Sequence, residues 1–325
     1  MDVFEDASAN ADVSRLVVRP MTSDDLDVAD RILRRAFGVY LGLPDPDATF
    51  GAADYVRSRF AASPRTAFVA TIDDEVVGSV HATLWGSFGF FGPLSVRSDL
   101  WDRGVARRLL DPVVELFDAS GAVLTSLFTF SQSAKHVGLY QRFGYWPHYL
   151  TGIMTRPVGS TSPDVTARHV SEMNDADRAT ALADCARTTD RVFAGLDVSS
   201  EIRAVLELRF GETVIIDDDE GVAGVAVCHV GGGEADAGAC YVKFAAARSG
   251  PAAPDHFARL LDAVESLAVA RGSRLVVAGV DTARRRAYRE MLERGFRTGL
   301  LGIRMNRPDD LGYGRDDAFV IDDLR

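Results

Sequence analysis

Three runs between residues 90 and 145 decide the fold: Phe90-Phe91-Gly92-Pro93-Leu94-Ser95-Val96, then Trp101-Asp102-Arg103-Gly104-Val105-Ala106-Arg107-Arg108-Leu109-Leu110, then Leu139-Tyr140-Gln141-Arg142-Phe143-Gly144-Tyr145. The first reads as an apolar strand. It feeds a turn holding Gly104 and Ala106, and a helix starts inside that turn. Small residues let backbone approach a ligand, and the first turn of a helix carries N–H groups with no partner in the helix. Those donors and the helix dipole attract an anion, typically a phosphate. Arg103, Arg107 and Arg108 add positive charge. Taken alone, the same residues also describe an ordinary strand–helix turn with a surface arginine cluster.

Val105, Leu109, Val113 and Phe117 recur every four residues, with Leu110 and Val114 beside them. That spacing gives one apolar helical face. Pro112 lies inside it and predicts a bend. Gly121 closes the helix, and Val123 to Phe128 reads as the next strand.

Strand, glycine-bearing turn, helix, strand, and a Leu-Tyr-x-x-Phe-Gly-Tyr helix end together resemble the acetyl-CoA core of the GNAT N-acetyltransferase superfamily. The family loop Gln/Arg-x-x-Gly-x-Gly/Ala stands here as Trp101-x-x-Gly104-x-Ala106, and Ser133 replaces a family asparagine. The run Gly138 to Tyr145 also resembles the enhanced intracellular survival (Eis) type of acetyltransferase. The resemblance implies an α/β fold built on a mixed sheet flanked by helices, with acetyl-CoA as cosubstrate. It implies that the backbone of Leu94, Ser95 and Val96 holds the pantetheine arm, between core strands that splay around it. It implies that Asp102, Arg103, Gly104, Val105, Ala106 and Arg107 hold the pyrophosphate, with Ser133 nearby. Tyr140 matches the family's proton donor to the departing thiolate; an ordinary phenol pKa of about 10 suits that task. A base for the amine is not legible. His81, the terminal carboxylate of Arg325 by analogy with the Eis type, and water are the three alternatives.

Composition bounds the rest. The chain has 325 residues, 47% hydrophobic and 26% charged, enough for two ordinary domains. A net charge of −11 argues against nucleic acid, whose phosphates need a basic face. No apolar run approaches the ~20 residues that span a bilayer. Met1 to Ser14 is polar and acidic, unlike a signal peptide, and reads as a disordered arm. A cytoplasmic location is expected. Cys185, Cys228 and Cys240 show no metal spacing and read as buried thiols.

From the start of the chain, Arg15 to Arg19 reads as a strand. A helix capped by Thr22 or Ser23 carries Leu26, Ala29, Ile32, Leu33 and Phe37, and ends in a loop from Gly38 to Asp47. Tyr40, Asp45 and Asp47 of that loop are candidate acceptor-pocket residues. A second helix runs from about Ala52 to Ala62, then a hairpin turns at Asp73-Asp74. Leu150 to Arg156 is expected to close the sheet. Pro157 to Asp164 reads as a linker.

The residues after the linker repeat those before it. Arg108-Leu109-Leu110-Asp111 recurs as Arg259-Leu260-Leu261-Asp262, Gly121 as Gly272, and Gly144-Tyr145 as Gly295-Phe296, all displaced by 151. This pattern implies a duplication: a catalytic repeat over 15–157, a linker over 158–164, a degenerate repeat over 165–307 and a tail over 308–325. In the copy, Gly104 becomes Asp255, Ala106 becomes Phe257, Arg103 becomes Pro254, Arg107 becomes Ala258 and Tyr140 becomes Met291. A carboxylate repels phosphate and a phenyl blocks the backbone, so the copy reads as a repeat without a cofactor site. The leading reading is acetyl transfer from acetyl-CoA to a primary amine of a small molecule by direct attack on the thioester. The alternatives are a non-catalytic acyl-CoA-binding sensor and a scaffold that binds no cofactor. Mycothiol synthase also resembles a tandem GNAT, but with its active half at the C-terminus. The sequence leaves the acceptor and the oligomeric state open.

Overall fold

The computed structural model describes residues 13–325. The expected disordered arm lies outside the described residues except for Val13 and Ser14, which open a short 3-10 turn, Val13–Arg15. The chain divides into two compact units. One runs to Thr83 and takes in Phe91–Ser120; the other holds Leu84–Phe90 and Gly121–Arg325.

The first unit begins with β1 (Val17–Pro20) and α1 (Leu26–Leu41). Ala29, Ile32, Leu33 and Ala36 of α1 are buried, as their spacing requires. The helix does not stop at Gly38. It runs three residues further and ends at Gly42 in the left-handed conformation, φ 67°. Gly38 serves packing instead, since a Cβ there would stand 2.4 Å from the Cα and carbonyl oxygen of Pro46. The expected loop residue Tyr40 is therefore helical, while Asp47 pairs with Arg35 at 3.3 Å on the surface. Next come α2 (Tyr55–Ala62), β2 (Ala67–Ile72), β3 (Glu75–Trp85), β4 (Phe88–Val96) and α3 (Val105–Ser120), with the end of β3 from Leu84 and the start of β4 as far as Phe90 counted in the second unit. β1 and β2 pair antiparallel, as do β2 and β3. Met21, Ala29, Leu33, Tyr55, Val56, Ala67 and Val69 form a common core. Helix α3 runs unbroken through Pro112 and buries Val105, Leu109, Leu110, Val113 and Phe117.

The second unit contains β5 (Leu124–Phe130), α4 (Ala134–Gln141), β6 (Trp146–Pro157), β7 (Arg168–His169), α5 (Asp175–Asp190) and α6 (Ser199–Glu207). It continues with β8 (Gly211–Asp218), β9 (Gly221–Val230), β10 (Ala239–Ala247), α7 (Ala253–Ala270), β11 (Leu275–Asp281), α8 (Arg285–Glu293), β12 (Arg297–Arg307) and β13 (Val320–Ile321). The three cysteines are buried, free thiols, and burial pushes the Cys185 thiol up to about 12.

The repeat seen in the sequence is a repeat of structure. Shifted by 151, β4 (Phe88–Val96) falls on β10 (Ala239–Ala247), and β5 (Leu124–Phe130) falls on β11 (Leu275–Asp281). A close contact recurs as well. A Cβ on Gly78 would meet the Ser95 carbonyl at 2.7 Å, and one on Gly224 would meet the Ala246 carbonyl at 3.3 Å.

One strand is not where the order of elements suggested. β6 does not close its own repeat's sheet on β5. It pairs antiparallel with β11, Leu275 to Asp281 against Pro157 to Thr151, and on its other side with β12. β12 in turn pairs with β5, from Gly302 opposite Phe130 to Arg307 opposite Thr125. The final strands of the two repeats are exchanged. Because β6 and β12 occupy equivalent positions, either could satisfy the edge of β5 or of β11, and chain order alone does not choose between them.

Candidate cofactor site

In the first unit, β4 delivers Leu94 half-buried and Ser95 and Val96 buried. Gly78 sits behind Ser95, and the Ser79 and Ser95 hydroxyls lie 3.3 Å apart. Arg59 of α2 is buried and donates to the Gly92 carbonyl of β4, just ahead of Leu94. Nothing in the sequence singled out Arg59, because a lone arginine on a short helix reads as a surface residue.

After β4 the chain turns through Ser98–Leu100. Trp101 fills the position that the family gives to glutamine or arginine. Its indole Nε1 donates to the Val96 carbonyl at 2.9 Å, which fastens the turn to the end of β4. Asp102 and Gly104 both take positive φ, 64° and 85°. At Gly104 this backbone favours glycine, and a Cβ there would meet nothing within 4 Å. Helix α3 starts at the next residue. Its first N–H groups, from Val105 to Arg107, precede the helix's own ladder, which Arg108 joins by donating to the Gly104 carbonyl at 3.2 Å. Val105 is buried, Ala106 half-buried, and Arg103, Arg107 and Arg108 are exposed. Three cations at the positive end of a helix oppose its dipole, at about 0.3–1 kcal/mol each. Such a cost is expected where the turn must hold an anion.

Ser133 and Tyr140 belong to the second unit. Ser133 is the N-cap of α4, and its hydroxyl accepts from the His136 N–H at 3.4 Å. Tyr140 is 7% exposed. Burial raises its phenol pKa, and a hydrogen bond with Thr129 of β5 partly offsets that rise. The phenol therefore keeps its proton throughout the neutral range, as an acid catalyst requires. Thr129 carried no signal in the sequence beyond its place on a strand. Of the alternatives for a base, His81 is buried on β3 opposite Ala67. The tail that ends at Arg325 pairs with β10 through β13.

The second repeat differs at each equivalent point. Helix α7 starts at Ala253, so the counterparts of Asp102, Arg103 and Gly104 lie inside its first turn. Phe257, the counterpart of Ala106, is fully buried, with its ring 5.5 Å from Phe319. Met291, the counterpart of Tyr140, is buried as well.

Comparison with known proteins agrees with this geometry. Residues 31–145 match the model of the acetyltransferase (GNAT) family. No curated protein matches the chain. Among solved structures, a candidate acetyltransferase from Pyrococcus horikoshii superposes with a TM-score of 0.66 at 14% identity, covering 96% of this chain and 95% of that one. A GCN5-related N-acetyltransferase from Sphaerobacter thermophilus gives 0.57 at 15% identity, with 90% and 95% covered. A tandem GNAT protein from the clavulanic acid biosynthesis pathway gives 0.55 at 13% identity, with 90% and 98% covered. At such identities the structures speak for the fold. No helix among the described residues is long and apolar enough to cross a membrane. The match to the acetyltransferase (GNAT) family model is confined to residues 31–145, and the solved structures, a tandem GNAT protein among them, show that the whole chain has a fold like theirs.

Proposed function

We propose that the chain is an acetyl-CoA-dependent N-acetyltransferase for a small-molecule primary amine, with its one cofactor site in the first repeat. The observation that carries this reading is the turn at Gly104: positive φ, open space at the missing Cβ, and a helix N-terminus among three exposed arginines. In this reading the Val105–Arg107 N–H groups and the arginines hold the pyrophosphate. The backbone of Leu94 to Val96 holds the pantetheine. The amine attacks the thioester carbonyl, the C–S bond breaks, and Tyr140 protonates the leaving thiolate. The amine's own proton goes to water. The family match, residues 31–145, covers the turn and Tyr140 and supports this assignment. The protein would work in the cytoplasm.

Binding without turnover is the second reading. Trp101 favours it, since the indole already donates to Val96 where the family has a different side chain. Calorimetry with acetyl-CoA, then CoA release with a panel of amines, separates the two. Tight binding with release for one or more amines supports the enzyme. Binding without release supports the sensor, and absence of binding removes both.

A further inference from the structure

The tail of the chain is strand-paired in the second repeat at a telling place. The parallel ladder of β10 and β11 runs from Ala239–Leu275 to Val242–Ala278. Beyond it β13 lies antiparallel on β10, with Ala245 opposite Ile321 and Ala246 opposite Val320, and the Ala247 N–H donates to the Phe319 carbonyl at 3.0 Å. Shifted by 151, Ala245, Ala246 and Ala247 are Leu94, Ser95 and Val96. These are the residues to which the proposed function gives the pantetheine arm.

The repeat also departs from its sister where the tail passes. Gly279 stands where the first repeat has Phe128, and a Cβ on it would come within 2.0 Å of the Asp323 Cβ. Tyr241 stands where the first repeat has Phe90, and its hydroxyl donates to Asp323 at 3.0 Å. Arg284 stands where the first repeat has Ser133; it is fully buried and donates to Asp322 at 2.6 Å. The tail itself alternates as a strand buried on both faces does. Phe319 and Ile321 join one apolar cluster, with Phe257 and Leu260, and Val320 joins the other, with Phe244 and Tyr313.

We infer that residues 318–323 are a built-in replacement for the pantetheine arm: the second repeat retains the extended slot of its fold and fills it with the chain's own C-terminal strand. The slot is thus a binding site for an extended peptide, with a main-chain ladder on one strand and buried carboxylate receptors at its end. Phe257 has the same explanation, since it packs on Phe319 in the place where a phosphate turn would need open backbone. The correspondence with pantetheine rests on the proposed function, while the peptide slot rests on the geometry of the second unit alone.

The test uses the full chain. Hydrogen exchange should show the amides of Ala247 and Ile321 protected at least about 100-fold more than that of the exposed loop residue Asp309. Exchange at loop rates overturns the inference. A protease site inserted after Pro308 allows the tail to be nicked without being removed. The freed segment should co-elute with the body on gel filtration, and its release at micromolar concentration overturns the inference too. Acetyl-CoA calorimetry on the uncut protein should give one equivalent, because the second slot is filled. Two equivalents would overturn the inference. No binding would sink the cofactor reading of the first repeat instead, and the exchange and elution results would decide the tail independently.

Discussion

The first turns of α3 and α7 fall at equivalent places in the two repeats and are built in opposite ways. At α3 the chain holds a glycine at φ 85° outside the helix and places Arg103, Arg107 and Arg108 around it. The cations weaken the helix, because they oppose its dipole, and the glycine meets a backbone conformation that other residues rarely adopt. At α7 the equivalent residues are wound into the helix, Asp255 sits in the first turn where the dipole favours it, and Phe257 is buried. The second repeat obeys the rules of helix stability and the first breaks them. Local departures of this kind from the stable choice mark a site more sharply than any single residue type.

The largest expected effect comes from emptying the stabilised turn. Phe257→Ala should cost about 3–5 kcal/mol of unfolding free energy, as for a fully buried aromatic ring, and denaturant melts would read it. A loss below about 1 kcal/mol would mean that the second repeat's turn is not the packed element described. The reverse graft is next. Gly104→Asp copies Asp255 into the first repeat, places a carboxylate at the anion turn and strains the backbone at positive φ. It should weaken acetyl-CoA binding by roughly 100-fold, or about 2.7 kcal/mol, with the melting temperature lowered by a few degrees at about 1 kcal/mol of backbone strain. Undiminished affinity in calorimetry would erase the contrast between the two turns.

Tyr140→Phe tests the pair Tyr140 and Met291. Turnover should fall at least about tenfold while acetyl-CoA affinity stays nearly intact, the mark of a group acting in the chemical step. An unchanged rate would take Tyr140 out of the mechanism. The smallest effect belongs to Arg107→Ala, which copies Ala258. Affinity should fall by roughly threefold and depend less steeply on salt, as expected for an exposed charge near a phosphate. An unaltered salt dependence would leave the arginines as solubilising surface charge.

The core of this picture was legible in the residues themselves. The Phe90–Tyr145 runs carry a strand, turn and helix by periodicity and small-residue placement, and the 151-residue displacement reappears in the bounds of β10 and β11. Three features were not legible, each for a physical reason. Gly38 resembles a helix stop, yet it is a point of close approach to Pro46, and only the fold shows which role a glycine has. The tail residues Phe319 to Asp323 are three apolar residues followed by two acids, but their register on β10 depends on contacts some 75 residues away in sequence. Thr129 and Arg59 act through side-chain hydrogen bonds to residues on other elements, which leave no periodic trace. The resemblance to the Eis type rests on the run Gly138 to Tyr145 alone.

The exchange of β6 and β12 bears on how this gene could be taken apart. A protein ending near residue 160 would present β5 with no antiparallel neighbour from β12, and a protein beginning there would leave β11 without β6. Bare strand edges recruit other chains, so each fragment made alone is expected to precipitate. Produced in the same cell, the two fragments would each supply the ribbon that the other lacks, and would behave as a split protein that reassembles without a covalent link.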